Sequence, residues 1–169
     1  MWYCGKMVSS AAQIEMPAGQ ARLRSRDIVQ NPNREIAAAI LFDTNGRVLL
    51  QRRDDKPDIL QPGKVGLFGG HREGDESFID CVVREVAEEI SCHVPAERFQ
   101  HLLCLDGPDP DRSEGRVKGQ LFVAYDIPTD ELTITEGTLL VVGPDDISKL
   151  RSELTPLTII ALDAFIAPA

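Results

Sequence analysis

Three glutamates, Glu85, Glu88 and Glu89, stand at i, i+3 and i+4 near the end of the stretch SFIDCVVREVAEEI at 77–90. In a helix, at ~100° per residue, they fall within an arc of about 100°, with Glu85 between the other two. Like charges at this spacing repel by roughly a few tenths of a kcal/mol. Carboxylates in the last turns also face the negative end of the helix dipole, where cations are preferred. A divalent, oxygen-seeking cation relieves both penalties. Mg²⁺ is the natural candidate, with Mn²⁺ the alternative, because it binds a few carboxylates while keeping waters and phosphate oxygens as its other ligands. Three glutamates on a solvated helix face are the plain reading of the cluster taken alone.

The surrounding residues specify the elements that must position this cluster. Ile79, Val83, Val86 and Ile90 recur at spacings of four, three and four, which predicts a helix burying that face and turning the glutamates the other way. Ser77 with Asp80 is a variant of the capping box at its start, and Pro95 marks its exit. Upstream, the apolar run Ile36 to Phe42 reads as a buried strand, Asn45-Gly46 as a hairpin turn, and Val48 to Arg52 as the partner strand. A loop rich in Asp, Pro and Gly covers 54–64, and Val65 to Phe68 forms a short strand leading into Gly69-Gly70. Further strands are expected at 100–106, 120–127 and 139–142, with a polar loop over 107–119. A short helix is expected at 144–150 and an amphipathic helix at 157–166. Strands mixed with two or three helices indicate an α/β layered domain.

A chain of 169 residues with a hydrophobic fraction of 43% fits one domain with its own core. Its net charge of −9 argues against a duplex nucleic-acid partner, since duplex binding depends on neutralising phosphates. It leaves room for a small phosphate ligand, because a metal ion inverts the charge felt locally. Cys4, Cys81, Cys92 and Cys104 form no CxxC pair, which makes a structural zinc site a poor fit and a reduced, cytoplasmic chain the simplest reading. Neither a membrane span nor a signal peptide is expected. Residues 1–33 read as an arm, disordered or docked, that offers a homodimer contact; residues 34–169 form the domain.

The string GHREGDESFIDCVVREVAEEISC at 70–92 resembles the Nudix box: Gly, five residues, Glu, seven residues, then Arg-Glu-apolar-x-Glu-Glu-x-Gly-apolar. Gly70, Glu76, Arg84, Glu85, Val86, Glu88 and Glu89 match at the required spacing. Ser91 replaces the closing Gly, which puts the helix exit in question, since Ser adopts the left-handed conformation less readily. Cys92 takes the last apolar position, and Phe68 replaces a frequent Pro. The likeness runs over roughly 34–166, and it implies a Nudix-type α/β/α sandwich with a mixed β-sheet.

The resemblance further implies a Mg²⁺-dependent pyrophosphohydrolase acting on a nucleotide-like diphosphate: a nucleoside triphosphate, nucleotide sugar or dinucleotide. Glu85, Glu88 and Glu89 would be metal ligands, with the Gly70 carbonyl as a backbone ligand. Arg84 would orient the carboxylates, and Glu76 would support the loop before the helix. Glu85 is the favoured general base, with Glu114 or Glu136 as alternatives. Gly69 and Gly70 would let backbone approach the phosphates. Arg52 is the favoured basic contact, ahead of Arg53 and Lys64. His71, His93 and His101 show no ligand spacing, and Cys81 falls where a small side chain is needed. Phe68, Phe99, Phe122 and Tyr125 are the aromatics on hand for base stacking, and 106–115 fits either a specificity loop or a disordered connector. A non-hydrolytic nucleotide-sensing module and a diphosphate-ester isomerase are the competing readings on the same scaffold.

Overall fold

A computed structural model describes residues 33–167. The arm assigned to 1–33, and the dimer contact placed on it, lie outside the described residues except for Asn33. The first strand, β1 (Asn33–Asp43), organises the rest. It pairs in parallel with β6 (Arg116–Ile127) and antiparallel with β2 (Val48–Arg52) and β4 (Phe68–His71). With β3 (Val65–Gly66), β5 (Gln100–Pro108) and β7 (Thr138–Val142) these make a mixed sheet of seven strands, whose main path runs β3-β2-β1-β6-β5.

The unbroken apolar run of β1 is explained by burial on both faces. Ile36, Ala38, Ile40 and Phe42 face one core with Leu157, Ala161 and Leu162 of helix α2 (Pro156–Ile166). Ala37, Ala39 and Leu41 face a second core with Val82, Val86 and Ile90 of helix α1 (Phe78–Ile90). The period-two alternation of a strand thus sorts one segment between two helical layers. The expected α/β/α arrangement is present.

Several local expectations change. The buried stripe of α1 comprises Cys81, Val82, Val86, Glu89 and Ile90, whereas Ile79 and Val83 are only half-buried. The helix is rotated toward its glutamates because the strands facing it carry small residues, Ala37 and Ala39 in β1 and Gly69 and Gly70 in β4, which leave room on that side. Its start is as expected, with the Ser77 hydroxyl accepting from the Asp80 N–H at 3.2 Å. Its end is made by Ser91, which takes the left-handed conformation at φ 51 that a closing Gly would supply.

Strands β5 and β6 run further than the sequence suggested, leaving only 109–115 between them. Polar residues at Lys118 and Gln120 alternate with buried Val117 and Leu121, which is an ordinary half-exposed strand. The segment 144–150 is a 3₁₀ helix. Helix α2 is apolar nearly all round rather than amphipathic: Leu157, Ala161 and Leu162 are buried while Ile160 and Ile166 are exposed. Among the described residues, no helix is long and apolar enough to cross a membrane, and Cys81, Cys92 and Cys104 are free thiols.

Candidate active site

The site begins with a close approach between α1 and β4. Gly69 lies opposite Ala38 and Gly70 opposite Ala37 in the β1–β4 ladder. A β-carbon on Gly69, at φ +139, would meet the Ala37 carbonyl at 2.3 Å, and one on Gly70 would lie 2.5 Å from Glu85 Cδ. Glycine is needed at both positions because backbone or carboxylate already fills the space. The Glu85 carboxylate therefore rests flat on the Gly70 backbone. One turn on, Glu89 Oε2 accepts the Gly69 N–H at 2.9 Å, and Gln51 Nε2 donates to Glu89 Oε1 at 3.4 Å and to the Glu136 carbonyl at 3.0 Å.

Arg84 braces the same end of the helix. Its Nη2 donates to Glu76 Oε1 at 2.6 Å and to the His71 carbonyl at 3.0 Å; its Nε donates to Glu76 Oε2 at 3.1 Å. Its Nη1 donates to Glu85 Oε1 at 2.7 Å and lies 3.9 Å from Glu88 Oε2. Glu76 in turn accepts from the Glu73 N–H at 2.8 Å. The two-sided grip on Glu76 uses the planar guanidinium fork, which a lysine cannot reproduce. Glu76 and Arg84 thus join the loop at 71–76 to the carboxylate end of the helix.

The three glutamates do not share one solvated face. Glu89 is buried, with 8% exposure, Glu85 is largely buried, and Glu88 is exposed. Burial pushes the Glu89 carboxyl up to about 8, with the charges of Glu85 and Glu136 adding to the rise against the opposing Gly69 and Gln51 hydrogen bonds. Burial likewise raises the Glu85 carboxyl, and Arg84 only partly offsets it. Glu76 moves the other way, held down chiefly by Arg84.

Among the described residues, no three His, Cys, Asp or Glu side chains converge closely enough to hold an ion as they stand. Glu85 is turned to Arg84 and Glu89 to the Gly69 N–H, so their oxygens are spread along the groove. The donor set nevertheless fits a hard divalent ion. Glu85, Glu88, Glu89 and Glu136 line one recess and offer it carboxylate oxygens, the donor type such an ion takes. The Gly70 carbonyl, in the β1–β4 ladder, also takes a long contact from Cys81 Sγ, 3.9 Å away. Burial pushes that thiol up to about 12, which leaves Cys81 a small filler under the loop.

From the carboxylates a cleft of about 290 Å³ extends past Gly69, Gly70 and His71 to the start of α2. Arg53 lines it and Arg52 does not. Arg52 Nη2 instead pairs with Glu153 Oε2 at 2.7 Å, and its Nη1 donates to the Gly63 carbonyl. Successive residues of an extended chain point to opposite faces, so the basic contact moves by one position. Lys64 is bound to the Ser152 carbonyl. Glu136 reaches the recess, whereas Glu114 lines neither cavity. Phe68, Phe99 and Phe122 are buried in the core beside α1, and Tyr125 stacks on Phe42 at 5.1 Å, so none of these aromatics lines the cleft.

The sequence reading missed the groups at the far end. Arg34, only 7% exposed, forks onto Asp109 at 2.5 and 2.6 Å and reaches Asp111 at 3.3 Å. Asp111 also accepts from the Leu157 N–H at 3.1 Å, and its carbonyl accepts from Gln61 Nε2 at 2.8 Å. Of the two readings of 106–115, a loose connector does not fit, and the segment brings Asp111 to the cleft. Pairing across 75 residues leaves no local spacing to read. His71, which shows no ligand spacing in the sequence, is half-buried beside this cluster and lines the cleft; burial first, then Arg34 and Arg112, push its pKa down to about 4.

Comparison with known proteins places this arrangement. The crystal structure of a MutT NUDIX hydrolase from Burkholderia pseudomallei is similar over 79% of this chain and 98% of its own, at 26% identity and a TM-score of 0.63. The NUDIX domain of Shewanella oneidensis NrtR, complexed with ADP ribose, matches over 82% and 89%, at 18% identity and 0.63. A Francisella tularensis bifunctional NMN adenylyltransferase/ADP ribose pyrophosphatase, complexed with AMP and a Mn ion, matches over 78% of this chain and 41% of its own, at 21% and 0.56. No curated protein matches the chain. The NUDIX domain model matches residues 32–163, and the chain belongs to that family.

Proposed function

We propose that this protein hydrolyses a diphosphate bond in a small nucleotide-like substrate, using Mg²⁺ or Mn²⁺ held by Glu85, Glu88 and Glu89 with the Gly70 carbonyl. The observation that carries this reading is the Glu76–Arg84–Glu85 brace beside buried Glu89, set against the Gly69-Gly70 backbone at the mouth of the cleft. Bound ADP ribose, AMP and Mn in the similar structures support the same ligand class.

A divalent ion in the recess supplies phosphoryl polarisation, a bound water of lowered pKa and charge compensation for the departing phosphate. The residues do the rest. Gly69 and Gly70 let the diphosphate approach the backbone, and Arg53 offers a cation at the cleft wall. Water oxygen bonds to one phosphorus, the P–O–P bridge breaks on that side, and the bridging oxygen leaves with the other phosphate. The water's proton passes to the Glu85 carboxylate, and Arg84 keeps that group aimed. Glu136, in the same recess, is the remaining carboxylate placed to take the proton instead.

Incubating the full chain with Mg²⁺ and a panel of nucleoside triphosphates, nucleotide sugars and dinucleotides tests the proposal. Release of phosphate, pyrophosphate or nucleoside monophosphate, abolished by EDTA, is the expected result. No release from any member at high enzyme concentration contradicts it.

A further inference from the structure

A helix ends with carbonyls that no N–H of its own can reach, and those of α1 are met by one segment of the chain. The Thr133 N–H donates to the Ile90 carbonyl at 3.2 Å and the Thr135 N–H to the Glu89 carbonyl at 3.0 Å. The Thr135 hydroxyl donates to the Glu88 carbonyl at 2.7 Å and lies 3.2 Å from that of Glu89. Those two carbonyls belong to residues whose side chains are proposed to hold the ion. With no basic residue in its last turn, α1 takes its cap from the segment 133–135.

The next residue is Glu136, and it is held from the opposite side. Gln51 of β2, buried, donates from Nε2 to the Glu136 carbonyl at 3.0 Å and to Glu89 Oε1 at 3.4 Å. A carboxamide nitrogen carries two N–H donors, so one side chain serves both acceptors. Gly137 follows at φ +66, and a β-carbon there would run into the Arg52 carbonyl. The backbone around Glu136 is therefore fixed twice, to α1 through Thr135 and to β2 through Gln51 and Gly137. Its carboxylate lines the recess with Glu85, Glu88 and Glu89 and takes its place from those two holds.

We propose that Thr135 is a positioning residue: its hydroxyl locks Glu136 to the acidic end of α1, so that helix and loop carboxylates meet the ion as one unit. This rests on the hydrolase reading for the ion in the recess, but it concerns only what holds Glu136 in register with the helix. A misplacement of about 1 Å in such a group is costly, and the hydroxyl acts on the residue directly before it. The competing account is a hydroxyl that only caps the helix. A cap would stabilise α1 without regard to Glu136, and its loss would add to the loss of that carboxylate.

Mn²⁺ binding to the full chain is measured for the parent, Thr135→Val, Thr135→Ser, Glu136→Gln and the double variant Thr135→Val/Glu136→Gln. Thr135→Val keeps the side-chain shape and removes the hydroxyl; Thr135→Ala serves if it does not fold. Thr135→Val and Glu136→Gln each weaken Mn²⁺ by about tenfold. The double variant binds no more weakly than Glu136→Gln alone, because the hydroxyl acts through that carboxylate. Thr135→Ser restores parent affinity. In metal-free protein, hydrogen exchange of the 133–137 amides is faster in Thr135→Val than in the parent. Parent-like affinity in Thr135→Val or Glu136→Gln, losses that add in the double variant, no rescue by serine, unchanged exchange, or no Mn²⁺ binding by the parent overturns the inference. Turnover by the parent is scored separately, so a failed hydrolase reading and a failed positioning role give different results.

Discussion

The Glu85 carboxylate occupies the space that a Gly70 side chain would need: a β-carbon there would stand 2.5 Å from Glu85 Cδ and 2.6 Å from both oxygens. Gly70→Ala must therefore push the carboxylate away from the backbone. A displacement of about 1 Å in a catalytic group costs on the order of 10²-fold in rate. The variant is expected to lose about that much kcat while its Tm stays within a few degrees of the parent, read by turnover and thermal unfolding. Unchanged turnover in a folded Gly70→Ala protein contradicts the close contact.

Arg84 acts through its planar fork, so charge alone does not replace it. Arg84→Lys keeps the charge but cannot hold Glu76 with two parallel bonds while also reaching Glu85 and the His71 carbonyl. A loss of about 10–100-fold in metal affinity or activity is expected, the usual size for a group that orients metal ligands. Mn²⁺ titration of the variant checks it. Parent-like affinity shows that the brace is not needed.

Glu89 gives the apo protein a characteristic pH dependence. Burial lifts its folded pKa to about 8 from the ordinary glutamate value of about 4.5, so between those values the folded state binds more protons than the unfolded. Its stabilising contribution is complete below about 4.5 and is lost as pH rises through about 8, on the order of a few kcal/mol. Glu89→Gln removes this slope in EDTA-treated protein followed by denaturant unfolding from pH 5 to 9. A slope that persists in the variant assigns the titration elsewhere.

The Arg34–Asp109 pair lies at 7% and 0% side-chain exposure. Removing Asp109 leaves buried Arg34 with the longer 3.3 Å contact to Asp111, so Asp109→Ala is expected to cost about 3 kcal/mol and to lower Tm by about 6 °C or more. Replacing both by leucine restores part of that loss. A Tm shift of only a degree or two in Asp109→Ala shows that the pair adds little to the 109–115 turn.

What the sequence made legible was local. The helix, its Ser77 cap, the Asn45-Gly46 hairpin and the two-faced β1 run each follow from residues a few positions apart. The resemblance to the Nudix box likewise grouped Glu76, Arg84 and Glu85 in one site, and the structure brings them into hydrogen-bond contact. What it hid was set by tertiary packing. The rotation of α1 depends on small residues in β1 and β4, so Val82 replaces Ile79 and Val83 in the buried stripe. The exchange of Arg53 for Arg52 turns on a one-residue strand phase. Arg34, Gln61 and Asp111 meet at the cleft from three segments with no motif in common.

In the proposed reaction, the acidic end of α1 holds a divalent ion that turnover requires. Metal binding by the full chain, followed by Mn²⁺ titration alongside Mg²⁺-dependent turnover, tests it in Glu88→Gln/Glu89→Gln and in Glu85→Gln. Folded variants whose metal affinity and turnover both fall by at least about tenfold are expected. Parent-level affinity and turnover in both variants contradict it.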